Sequence, residues 1–242
     1  MDRVLHLWSM AFDADLSDVS SPEGTDTIEH RREPLGPTLQ PCEMLKKVNT
    51  AAQAGAGLQR SESIESVMSE GTQFDATELT PQEKERLLDS VADILREQCD
   101  LNDSHVVLPS RKDPTAIFYS QVPSSIDIRA YAARMLKFLD ISTAAFVTAM
   151  VYLAQLRHRG AICISSYNVH RLLLSAVNLG MKYTEDVCYS ARGIAQVGGI
   201  GDSREVAMLE RQMLKMLNFE LYVGAEQFTM SRSRLLSLAL AP

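Results

Sequence analysis

Residues 144–156, Ala-Ala-Phe-Val-Thr-Ala-Met-Val-Tyr-Leu-Ala-Gln-Leu, carry no charge and only two strongly polar side chains, Thr148 and Gln155. Read as a helix, Phe146, Val147, Met150, Val151, Leu153 and Ala154 leave it without a polar face. Such a helix must be enclosed by neighbours. It is well short of the roughly 20 apolar residues a bilayer span needs. The rest of the chain must therefore supply a shell of helices around it.

That shell is legible as helical periods closed by breakers. Ile128, Tyr131, Ala132, Met135, Leu136 and Leu139 predict a helix over 126–139, and Asp140-Ile141-Ser142-Thr143 stops it and caps the apolar helix. Arg157-His158-Arg159-Gly160 ends the apolar helix with bases suited to its C-terminal dipole and a glycine suited to a left-handed cap. A third helix is expected over 167–184, with Val169, Leu172, Leu173, Ala176, Val177, Leu179, Gly180 and Tyr183 as its stripe. A short fourth covers 187–196, and a fifth runs from Ser203 to Leu217 behind an Asp202 cap with Leu209, Met213, Met216 and Leu217 inward. No strand-type alternation rivals these periods, so the fold class is all-α.

Outside these five helices, Thr80-Pro81-Gln82-Glu83 has the composition of a capping box with proline at the first helical position. The helix it opens puts Leu87, Leu88, Val91, Leu95 and Cys99 on one stripe. Thr80-Pro81 can also be read as a proline-directed phosphorylation site, as can Ser21-Pro22. The chain divides into a leader over 1–78, an N-terminal helix over 79–100, a tether over 101–125, a helical domain over 126–222 and a further helix over 223–242. The leader is rich in Ser, Pro and Gly without a sustained hydrophobic period, and reads as largely disordered with short helical possibilities. Its Ser61–Ser69 stretch reads as a soluble linker or a phosphorylated switch.

The net charge of −7 is unevenly spread: residues 1–125 hold 22 acidic and 11 basic side chains, and the remainder holds 9 and 13. This balance disfavours a general polyanion binder. Four cysteines scattered at 42, 99, 163 and 188 fit a reducing compartment, and the start of the chain lacks the features of a signal peptide, so a cytoplasmic or nuclear location is expected. The histidines at 6, 30, 105, 158 and 170 do not pair as zinc ligands, and His158 and His170 are expected to cap or solvate helix ends. Gly193 to Gly201 lacks a preceding strand and a following Gly-Lys-Ser/Thr, and reads as a hinge rather than a phosphate loop. No catalytic signature is present, and neither cofactor nor metal is expected. Glu185-Asp186 opposes the dipole at a helix end, which points to a use other than helix stability.

Several strings, in order, carry a family resemblance. Phe118-Tyr119-Ser120 precedes Pro123-Ser124-Ser125-Ile126 and Tyr131 through Phe138; Phe146 through Leu153 follows; then come Asn168-Val169-His170-Arg171-Leu172-Leu173 and Met181-Lys182-Tyr183 with Glu185-Asp186-Val187 and Tyr189; Val197-Gly198-Gly199-Ile200 and Leu209-Glu210 through Leu217-Asn218-Phe219 complete the set. The chain resembles a cyclin of the phosphate-pathway (P/U) type with a single cyclin box. The resemblance implies a five-helix box with extra N- and C-terminal helices. It implies a non-catalytic regulatory subunit whose partner is a cyclin-dependent protein kinase, with no small-molecule substrate and no membrane. By motif position Lys182 and Glu210 would contact the kinase, each being otherwise an ordinary surface charge. Leu179, Tyr183, Leu214 and Phe219 would flank the contact or belong to the core. Arg129-Ala130-Tyr131-Ala132 stands where cell-cycle cyclins carry a hydrophobic substrate-docking motif. A related fold serves nucleic-acid-binding transcription factors, usually as two tandem boxes, and Arg157, Arg159, Arg192 and Arg204 could form a modest basic patch for that alternative.

Overall fold

A computed structural model describes Trp8, Ala11, Phe12 and residues 79–238. Seven α-helices are found among them: α1 Pro81–Asn102, α2 Ile128–Phe138, α3 Thr143–His158, α4 Val169–Thr184, α5 Ala191–Gly198, α6 Ser203–Met216 and α7 Ala225–Leu238, with a 3-10 turn at Pro114–Phe118 between α1 and α2. No strand occurs among the described residues.

The apolar helix is the axis of the molecule. From Ala145 to Ala154 every side chain of α3 is buried, and only Ala144, Gln155 and the Arg157–His158 end keep appreciable exposure. Helix α4 packs along it most extensively, while α7 covers another side. The α3–α4 approach is close because Gly180 has no side chain: a Cβ there would stand 2.4 Å from the Ala145 carbonyl oxygen. Leu172, Leu173, Ala176 and Leu179 then fill the seam.

Local chemistry fixes the ends. The Thr80 box forms in full, with the Thr80 hydroxyl accepting from the Glu83 amide and the Glu83 carboxylate accepting from the Thr80 amide at 2.8 Å. Asp127, Ser142, Ser190 and Asp202 cap α2, α3, α5 and α6 through side-chain oxygens. Gly160 (φ 61°) and Gly199 (φ 68°) supply left-handed turns after α3 and α5.

Helix α1 belongs to the same core. It packs on α2 and α7, and its buried stripe includes Leu87, Leu88, Val91, Ile94 and Leu95. Arg96 reaches both carboxylate oxygens of Asp127 at 2.8 and 2.9 Å, and Arg129 of α2 returns to Asp89 and Glu85.

Three expectations need correction. The fourth helix starts at Ala191, not 187, because Ser190 is the residue able to cap it; Val187 is 81% exposed. The third starts at Val169 because the Asn168 side chain is spent on the preceding loop, accepting from the Ser165 amide and donating to the Cys163 carbonyl, both at 2.8 Å. The tether is not merely laid over the domain: Phe118, at the end of its 3-10 turn, is fully buried. Within the leader, Trp8, Ala11 and Phe12 have helical backbone and are buried members of the core, one of the short helical possibilities of that stretch. The remainder of 1–78, with Ser21, Cys42 and Ser61–Ser69, lies outside the described residues.

Candidate functional site

The C-terminal half of α4 presents two faces. Positions 172, 176, 179 and 180 continue the seam against α3, so Leu179 is core at 2% exposure rather than a flanking surface residue. Asn178 and Lys182, four apart, share the neighbouring face toward α6. There Lys182 Nζ stands 2.6 Å from both carboxylate oxygens of Glu210, and the Asn178 side-chain amide donates to Glu210 Oε2 at 3.0 Å. The two residues named by motif position thus form one ion pair bridging two helices. Lys182 keeps 40% of its side chain exposed and Glu210 21%.

The end of α4 and the segment after α6 carry exposed aromatics. Tyr183 is 43% exposed and Leu214 is partly buried against the core. Phe219 is 66% exposed and, with Asn218 before it, has positive φ (59° and 52°). A left-handed phenylalanine is uncommon, and its ring is presented to solvent instead of being buried. Tyr222 is exposed too; it was not singled out from the sequence, nor was Asn178. The signal for Asn178 was available: a polar residue buried within an apolar stripe needs a partner.

Other expected features resolve differently. Glu185 accepts the Ser142 amide at 2.9 Å, so its carboxylate serves the N-terminus of α3, which explains its unfavourable place at the end of α4. The Gly193–Gly201 run is not a hinge: Gly193 and Gly198 lie within α5, Gly198 against Leu174, and Gly199 is the C-cap. His170 does not sit at a solvated end. Its Nε2 donates to the Ile126 carbonyl at 2.8 Å, and burial holds its pKa below the ordinary value. His158 is exposed at the end of α3.

A depression of about 250 Å³ lies beside His170, lined also by Tyr131, Arg134 and Arg171. Its polar groups already have work: Tyr131 on the Gly198 carbonyl, Arg134 on that of Gln196, and Arg171 on Glu205 and the Ile117 carbonyl. They converge on the protein's own backbone. Of the four arginines considered for nucleic acid, Arg157 is held by Gln98 and Trp8, and Arg159 by Glu220 and the Leu217 carbonyl. Half of that patch is spent internally.

The cyclin family model matches residues 47–221, which is most of the chain. The chain belongs to the cyclin family. Similar proteins carry P- and U-type names. Cyclin-U4-1 of Arabidopsis thaliana is 32% identical over 149 residues, covering 61% of this cyclin and 73% of that protein. PHO85 cyclin-like protein psl1 of Schizosaccharomyces pombe is 30% identical over 172 residues, 66% of this cyclin and 70% of its relative. Cyclin-P4-1 of Oryza sativa subsp. japonica is 36% identical over 112 residues, and there the match spans about half of each chain (46% and 52%). This cyclin is all-helical among the described residues, where no helix is long and apolar enough to cross a membrane.

Proposed function

We propose that this cyclin is the regulatory subunit of a cyclin-dependent protein kinase, which it binds through the surface around Lys182 and Glu210 and activates by fixing the kinase's mobile regulatory helix. The observation that carries this reading is the polar pair bridging α4 and α6, with exposed aromatics at Tyr183, next to Lys182 in the chain, and at Phe219 and Tyr222 in the segment that follows α6. Polar anchors amid apolar area are what a surface needs to hold one conformation of a partner in preference to another. Holding the regulatory helix inward keeps its glutamate against the strand lysine that positions ATP phosphates. The cyclin contributes no catalytic group, and the chemistry remains the kinase's. Leu179 supports the site from beneath, while Leu214 and the aromatics lie beside the anchor.

Co-expression with cyclin-dependent kinases of the source organism, followed by pull-down and a histone phosphorylation assay, tests the reading. The Lys182→Ala/Glu210→Ala variant should lose at least tenfold in kinase capture and in stimulated activity, with its thermal melt within a few degrees of wild type. Capture equal to wild type by the folded double variant would remove the anchor role.

A further inference from the structure

Trp8 is the chain's one tryptophan, and it is completely buried although residues 13–78 separate it and Phe12 from the segment that opens α1. Trp8, Ala11 and Phe12 all have helical backbone, and a spacing of four places both rings on one face. Their centroids are 5.5 Å apart at 50°. The surface beneath is assembled from three helices. Arg157, at the end of α3, stands 5.3 Å from the Trp8 ring and donates from Nε to the Gln98 side chain of α1 at 2.9 Å. Arg234 of α7 reaches the Ala11 carbonyl at 3.5 Å.

We infer that this three-helix surface is a docking site for an acidic helical peptide with aromatic residues four apart, and that residues 1–19 of the chain are its exchangeable occupant in cis. A turn or two of helix does not persist alone in water, so the helical backbone of Trp8, Ala11 and Phe12 is imposed by the seat. The seat is also imperfect. Trp8 Nε1 and Gln98 Nε2 are buried without an acceptor among the described residues, which offsets part of what aromatic burial contributes and leaves docking reversible. Charge favours this occupant: residues 1–19 carry Asp2, Asp13, Asp15 and Asp18 against the single base Arg3, and both side chains that grip the segment are arginines. Since the occupant is tethered, a peptide added in trans competes with a local concentration on the order of 1 mM or less.

The experiment uses full-length protein. The Trp8→Ala/Phe12→Ala chain contains no tryptophan, so a synthetic peptide of residues 1–19 brings the only indole into the cuvette. Titrating it should give a saturable blue shift of emission. A fluorescein-labelled copy, followed by anisotropy, should bind the wild-type chain at least tenfold more weakly than the double variant. Adding Arg157→Ala to the double variant should weaken binding at least tenfold. Absence of saturable binding, or equal affinity for wild type and double variant, would overturn the site. Loss of the cooperative helical melt in the double variant would overturn exchangeability, since the segment would then be integral core. A wild-type dimer that disappears in the double variant would place the occupant on a second copy and overturn the assignment in cis.

Discussion

His170 lies in the first turn of α4 and is half-buried, with its ring edge-on to Tyr131 at 4.9 Å between centroids and its Nε2–H on the Ile126 carbonyl. Desolvation is the main reason its pKa is lowered; the backbone hydrogen bond and Asp127 pull the other way. In the unfolded chain the imidazole takes up a proton near pH 6.5, while the folded ring resists until lower pH. Between those two values the unfolded state binds more protons, so stability falls as pH falls; above both, the ring is neutral in either state and contributes no pH dependence. One such group changes stability by at most about 1.4 kcal/mol per pH unit. Denaturant titrations at pH 7 and pH 5.5 should show the decline in wild type and a flatter response in His170→Gln; equal declines would exclude His170 as the source. The same residue shows where sequence reading stops. Its position at a helix start was legible, yet its burial depends on Ile126, just before α2, and on Tyr131 of α2. Lys182 and Glu210 were legible by motif, but that they meet each other, and that Leu179 turns inward, follows from the rotation of α4 against α3 and α6.

At the scale of elements, the approach of α3 to α4 turns on Gly180. Replacing a mid-helix glycine by alanine would ordinarily help a helix by roughly 1 kcal/mol. Here the added methyl would meet the Ala145 carbonyl oxygen at 2.4 Å and the Ala149 amide nitrogen at 3.3 Å, and neither can turn aside as a side-chain tip would. The helices must separate, loosening the seam of Leu172, Leu173, Ala176 and Leu179, and overpacking of this kind costs about 1–3 kcal/mol. Gly180→Ala is therefore expected to lower the urea midpoint with an unchanged slope; an unchanged or raised midpoint would mean that the seam is compliant. Helix existence and type were readable throughout, because the periods of α1, α2, α4, α5 and α6 are strong, α3 is an uncharged apolar run of helical length, and Thr80, Ser142 and Asp202 cap where their types predict. What failed was the start of α4 and α5. Asn168 has the right chemistry for a cap and spends it on Cys163 and Ser165, while Ser190 caps α5 after an exposed run that sequence alone attaches to the helix.

At the scale of the whole molecule, the question is how much chain the five-helix box needs in order to fold. One buried cluster joins residues of α1, the 3-10 turn, α2 to α6 and α7, with Phe118, Phe228 and Leu235 among its members. Read from the sequence, 126–222 is the domain and 79–100 and 223–242 are additions to it. The packing supports a larger folding unit. Leu87, Leu88, Val91, Ile94 and Leu95 of α1 are each at most 4% exposed. Full burial of such side chains contributes about 1.5–3 kcal/mol apiece before the entropy of ordering the helix is set against it, and the surfaces of α2 and α7 that they cover would be exposed without α1. A domain of this size has a net stability of only about 5–15 kcal/mol, so that exposure is a serious loss. Removing α7 also uncovers α3, the helix with no polar face of its own. A fragment of residues 126–222 should therefore show no cooperative thermal transition by circular dichroism and should bind a hydrophobic dye, whereas the full chain melts cooperatively. A fragment that melts in a single sharp transition would show that the five helices enclose α3 unaided and that α1 and α7 are additions to a complete box.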